Sequence, residues 1–187
     1  MRVGKADFEY KGARASARLD LDGSGRVDLR SGSAFLDHML SALSKTGGLD
    51  LEVKAEGSSY YWTVALGGAL GLAVSNALGD RAGVRRYGSA AVPMDESFAQ
   101  VALDLSGRAY MIMRGSFAGE QIGDMGSQEM KAFLEMLANE GRLTLHISFY
   151  GENDHHKAEG IFKALGLAVR EAAAKEGLGV PSTKGVL

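Results

Sequence analysis

Apolar residues recur at helical spacing from Phe35 to Lys45, at Phe35, Leu36, Met39, Leu40 and Leu43. Gly47-Gly48 stops that helix. Leu49, Leu51 and Val53 then alternate with polar residues, as one face of a strand does. A second helix is predicted from about Trp62 to Leu78, ended by Gly79. Ahead of both, LDLDGSGRVDL (19–29) reads as strand–turn–strand, with Gly23 and Gly25 supplying turn geometry. The same order is predicted again farther along: strands around 98–116, a helix over 127–139, a strand over 143–149 and a helix over 156–175.

The recurrence is literal in places. ALGLAV stands at 69–74 and again at 164–169, an offset of 95. At that offset YYWTVALGG (60–68) meets HHKAEGIFK (155–163). HMLSALSKTGGLDLEV (38–53) meets AFLEMLANEGRLTLHI (132–147) at an offset of 94. Leu19-Asp20-Leu21 is likewise echoed by Leu103-Asp104-Leu105. Two halves, 1–84 and 85–187, therefore read as copies of one supersecondary unit. No linker separates them, so one compact domain with a shared core is expected. The class is α/β (α+β), with two sheets and helices packed between them or on one face.

Composition narrows the field. With 45 % hydrophobic residues among 187, the chain can bury a sizeable core. A net charge of −2 and no basic cluster argue against nucleic acid. The absence of cysteine removes disulfide and thiol chemistry and fits a cytoplasmic setting. MRVGKADFEYKG lacks the apolar run of a signal peptide, and no stretch is read as a membrane span.

The densest chemistry is His155-His156-x-x-Glu159 at the start of a predicted helix. Residues three and four apart share a helix face, so His156 and Glu159 are expected to point together. His155 then projects about 100° away. Imidazole with carboxylate suits Zn, Mn or Fe, and histidines pointing apart suit two ions; a polar helix start is the plain alternative. His38 lies in an otherwise apolar helix, where a structural histidine is the commoner case. His146 in TLHI is ambiguous. The repeat is asymmetric here: Tyr60, Tyr61 and Val64 stand opposite His155, His156 and Glu159, and Ala132 stands opposite His38. None of the four is a good ligand for such metals. Arg86, Arg108, Lys163, Ser182 and Lys184 are candidate anion contacts, though each alone is an ordinary surface residue. Asp20-x-Asp22-x-Ser24-Gly25 mimics a calcium loop, but Ser31 occupies the place of the bidentate Glu, so a hairpin turn is expected instead.

FLDHML, ALGDRAGVRRYG, VPMDES, ALDLSGR, TLHI, GENDHHKAEGIFKALGLAVREA and VPSTKGVL occur in this order. In that series, over roughly 17–187, the chain resembles the imidazoleglycerol-phosphate dehydratases. The resemblance implies water elimination from imidazoleglycerol phosphate in histidine biosynthesis. It also implies manganese, two ions lying between subunits, and a homo-oligomer, a trimer or a 24-subunit shell built from trimers. It assigns phosphate binding to Arg86, Arg108, Lys163, Ser182 and Lys184, and metal binding to His38, His155, His156 and Glu159. Those four are half of the implied ligand set. The family pattern HHTxED falls on Tyr60-Tyr61-Trp62-Thr63-Val64-Ala65, and a further family histidine falls on Ala132. The pattern RxTxET falls on Phe8, Tyr10, Gly12 and Ala13, so its acidic proton-transfer residue is replaced by Gly12. Three readings follow: a dehydratase with a reduced metal site, a non-catalytic relative that binds a phosphorylated ligand, or a structural subunit of a mixed assembly.

Overall fold

A strand that alternates buried and exposed positions needs a second layer over its buried face. The structure, a computed structural model describing residues 2–56, 61–177 and 179, supplies that layer with helices. The first half runs β1 (Val3–Tyr10), β2 (Ala13–Asp20), β3 (Val27–Arg30), α1 (Ala34–Gly47), β4 (Asp50–Glu56) and α2 (Tyr61–Leu78). The second runs β5 (Tyr87–Met94), β6 (Ser97–Asp104), β7 (Tyr110–Arg114), β8 (Gln121–Ile122), β9 (Met125–Gly126), α3 (Ser127–Gly141), β10 (Thr144–Tyr150) and α4 (Asp154–Ala172). The main sheets are ordered β1-β2-β4-β3 and β5-β6-β10-β7. In each, the last pair is parallel and the others antiparallel.

Inward positions are apolar: Ala15, Ala17, Leu19, Leu51 and Val53 in one sheet, Val101, Leu103, Leu145, Ile147 and Phe149 in the other. α2 lies on β1 and β2, α4 lies on β5 and β6, and the helices meet in pairs, α2 with α3 and α1 with α4. The four helices thus form the layer between the sheets, with Phe133 and Phe162 stacked inside it at 6.1 Å. The helix pairs close on glycine. A side chain at Gly71 would lie 2.6 Å from the Leu137 carbonyl, and one at Gly166 would lie 3.0 Å from the Gly47 nitrogen.

One expectation needs correcting. LDLDGSGRVDL is not a hairpin, because β4 lies between β2 and β3. Its turn is organised from outside by the Asp50 carboxylate, which accepts from the backbone of Ser24 and Arg26 at 2.7 and 3.0 Å. The 18 residues of α2 are apolar and long enough to cross a membrane by length and composition. The helix is buried over 72 % of that length, and a helix covered on several sides is apolar all round for that reason alone. The strands β1 and β5 and the small β8–β9 hairpin complete the fold beyond the elements predicted.

Candidate metal centre

Both helices that carry histidine begin with strong caps. Ser33 Oγ accepts from the Leu36 backbone N–H at 3.0 Å, starting α1 one turn before His38. Asn153 Oδ1 accepts from His155 and His156 N–H at 2.9 and 3.3 Å, starting α4. The helices run side by side in the same direction, and Thr46 Oγ1 of α1 donates to the Lys163 carbonyl of α4 at 3.0 Å. Their N-terminal turns therefore face one another.

His38 Nε2 lies 3.4 Å from Glu159 Oε2, and His155 Nε2 lies 3.3 Å from the same oxygen. The three donor atoms fall within 4.8 Å of one another. Among the described residues this is the one group of three or more His, Asp or Glu placed to hold an ion. The Glu159 side chain is 11 % exposed, while the two imidazoles present nearly half their surface. Lys163 Nζ binds the other carboxylate oxygen at 2.8 Å and touches Met94 Sδ at 3.4 Å. Burial opposes ionisation of Glu159, but the Lys163 ammonium and the hydrogen bond with His38 outweigh it, leaving its carboxyl below the usual range. A carboxylate anion beside two imidazole nitrogens is a donor set that divalent Zn, Mn or Fe accepts.

The facing of the two neighbouring histidines differs from the expected one. His155, four residues from Glu159, shares its face; His156, three residues away, turns aside, and the two rings are perpendicular. The His156 ring meets the β5–β6 turn, with Nδ1 2.8 Å from Glu96 Oε2 and Nε2 3.6 Å from Asp95 Oδ2. The Glu96 hydrogen bond raises the imidazole's pKa above its ordinary value, and Asp95 adds to the effect. Glu96 in turn accepts from Asn153 N–H and Ser97 Oγ at 2.8 and 2.7 Å. Asp95 and Glu96 are site neighbours that reading by residue type missed, although VPMDES carried them. His146 points from β10 to the exposed face of its sheet, away from the cluster.

The corresponding place in the first half carries different side chains. Val64 is buried, and with Ala132, Tyr10, Glu135, Met136 and Asn139 it lines a cleft of about 330 Å3. The Tyr61 ring lies 5.9 Å from that of Tyr10, with Lys11 Nζ 4.9 Å from the Tyr61 centroid. A cation therefore stands over Tyr61, where Asp95 and Glu96 stand beside His156. Tyr60 lies outside the described residues.

The anion contacts are divided. Lys163 sits at the metal cluster, next to Met94 at the end of β5. Arg86 precedes β5 at its other end and grips Asp104, with Nε 2.7 Å from Oδ1. Arg108 is exposed close by: Ser106 Oγ bonds both Thr144 Oγ1 and the Arg108 carbonyl, and Thr144 pairs with Asp104. Eight residues of extended chain separate Arg86 from Met94, about 26 Å at 3.3 Å per residue. Ser182 and Lys184 lie outside the described residues.

Residues 31–169 match the family model described as imidazoleglycerol-phosphate dehydratase. The chain is 42 % identical over 191 residues to the imidazoleglycerol-phosphate dehydratase of Methanosarcina mazei, covering all of both proteins. It is 40 % identical over 190 residues to a histidine biosynthesis bifunctional protein of Stenotrophomonas maltophilia, covering all of this chain and 53 % of that one. The crystal structure of the dehydratase from Pyrococcus furiosus, in complex with (S)-C348, superposes with a TM-score of 0.84 at 30 % identity, over 97 % of this chain and 99 % of that one. A full-length sequence match and a full-length structural match agree, and the chain belongs to the imidazoleglycerol-phosphate dehydratase family.

Proposed function

We propose that this chain is a histidine-biosynthesis dehydratase-type protein, of a lyase family, reduced to one metal centre per chain. In this reading it binds a phosphorylated imidazole ligand and does not sustain ordinary two-metal water elimination. One observation carries the reading. His38, His155 and Glu159 converge on a single point, while Ala132, Tyr60 and Val64 are their counterparts in the repeat, and Ala132 and Val64 line a cleft. The first set fits manganese or a similar divalent ion; the second offers an apolar surface and an aromatic ring, and does not fit.

An ion held at the first set supplies Lewis-acid stabilisation of charge on a bound ring. His38 and His155 would ligate such an ion through Nε2, and Glu159 would supply the negative charge. His156, braced by Glu96, faces away from that point, and in this reading it serves a neighbouring chain. Gly12 stands where the family places an acid, so the chain lacks that group for moving the carbon-bound proton, a loss worth roughly 10²–10⁴-fold.

We assign phosphate recognition to Lys163 on one side and Arg86 and Arg108 on the other; Ser182 and Lys184, which the resemblance also names, lie outside the described residues. Because about 26 Å of strand divides these cations, one phosphate cannot meet all of them within one chain. The division supports a homo-oligomer, a trimer or a 24-subunit shell, in which each site is completed by a second copy.

A second reading, ordinary dehydratase turnover, is favoured by the 42 % identity across the whole of a relative that bears that name. Metal analysis with a turnover assay on the purified chain decides between the two. One equivalent of manganese per chain and turnover lower by at least about 10²-fold support the single-metal reading. Two equivalents with ordinary turnover overturn it.

A further inference from the structure

The repeat is broken at one connection. Three residues, 31–33, join β3 to α1, whereas twelve, 115–126, join β7 to α3 and fold back as β8–β9. This longer connection grips both helices of the metal cluster. Asp124, in the β8–β9 turn, accepts from Ser33 Oγ at 2.6 Å, Ala34 N–H at 2.8 Å and Phe35 N–H at 3.1 Å. Together with Ser33 Oγ it satisfies the first free N–H groups of α1. On the other side, Asp154 of α4 accepts from Ala118 and Gly119 N–H at 3.0 and 2.8 Å, and Lys157 donates to the Ser116 carbonyl at 3.0 Å.

The location matters because of leverage. α1 and α4 touch backbone to backbone at Gly47 and Gly166. His38 lies nine residues back along α1 from Gly47, about 13 Å at 1.5 Å per residue. A swing of about 5° at that contact moves His38 by roughly 1 Å, enough to misplace a ligand. Phe35 adds a direct link: its backbone is held by Asp124 and its ring packs edge-on to His155 at 5.4 Å.

We propose that Asp124 is a positioning residue for the metal centre, clasping the start of α1 to the hairpin and so holding His38 opposite His155 and Glu159. The inference deepens the single-metal reading and rests on it for its affinity measurement. The first test is made on the metal-free protein, by NMR of the imidazole C–H groups in wild type, Asp124→Ala, Asp124→Asn and Asp50→Asn. His38 and His155 resonances shift or broaden in Asp124→Ala and less in Asp124→Asn, which keeps one acceptor oxygen; His146 stays in place. Asp50→Asn loses a comparable carboxylate just beyond the C-terminal end of α1, opposite to the end that carries His38, and leaves all of them unchanged.

Manganese titration by calorimetry then shows affinity lowered about 10- to 100-fold in Asp124→Ala, as for loss of a residue that orients a ligand, and unchanged in Asp50→Asn. If Asp124→Ala does not fold, Asp124→Asn carries both comparisons. Unmoved His38 and His155 signals in a folded Asp124 variant overturn the proposal, and so does an equal displacement in Asp50→Asn. Wild-type protein that binds no manganese sinks the single-metal reading instead, and the imidazole signals still decide the role of Asp124.

Discussion

Glu159 is the residue on which the candidate centre turns, because its two oxygens are divided between functions. One faces both imidazoles and the other holds Lys163. Replacing it by Gln keeps the shape and removes the charge. Glu159→Gln is expected to lower manganese affinity by more than the roughly 10- to 100-fold typical of losing an outer partner, and calorimetry checks this. Asp50 is the contrasting residue, since its role is to hold the chain in place. Its carboxyl is held well below the usual range, first by the Arg26 side chain and then by the Ser24 and Arg26 N–H groups. A carboxyl with a depressed folded value contributes stability above its unfolded value, about 3.9, and that contribution fades as pH falls through the folded value. The stability difference between wild type and Asp50→Asn should therefore be full at pH 7 and smaller at pH 3. Urea unfolding at the two pH values measures it, and an unchanged difference would contradict the assignment.

Among the elements, α2 and α3 depend on the closeness that Gly71 allows. An added methyl would meet the Leu137 carbonyl and the Gly141 nitrogen at 2.6 and 2.7 Å, both of them backbone atoms that cannot turn aside. Gly71→Ala is expected to cost about 1–3 kcal/mol, the usual range for overpacking, despite the better helix propensity of Ala. At about 2–4 °C per kcal/mol for a chain of this size, calorimetric melting detects it. Helices were the most legible elements, because α1, α3 and α4 keep apolar residues at helical spacing, and α2 an apolar run, over more residues than a strand spans. The two sheet edges were harder. β1 mixes Lys5, Asp7 and Glu9 with a half-buried Phe8, since its outer face meets solvent and its inner face meets α2. β2 and β3 read as a hairpin because a turn joins them, yet strand order is chosen by which faces α1 and α2 can cover, and β4 takes the place between them.

For the whole molecule, the division of the cations is the main consequence of the fold. Lys163 and the Arg86–Arg108 pair lie at opposite ends of β5, so ligand binding and assembly are expected to be linked. Arg108→Ala should weaken binding of inorganic phosphate or sulfate, read by calorimetry, and unchanged affinity would count against the proposed phosphate role of Arg108. The same molecule shows where the repeat has diverged. Near the first-half cleft, Lys11 and the Tyr10–Tyr61 pair replace acid and imidazole. At the second, the long β7–α3 connection is hydrogen-bonded to both helices that carry the cluster.

The sequence by itself determined the four helices, their repeated order, and that Tyr61, Val64 and Ala132 stand opposite His156, Glu159 and His38 in the repeat, because identity and periodicity are local properties. Tertiary structure alone decided that His155 and not His156 joins Glu159, since three- and four-residue spacings lie on either side of a 3.6-residue turn and only the placement of α1 selects between them. It also decided that Asp124 reaches Ser33 across 91 residues of chain, and that the cations part company, because contacts between distant segments arise from packing and leave no period to read.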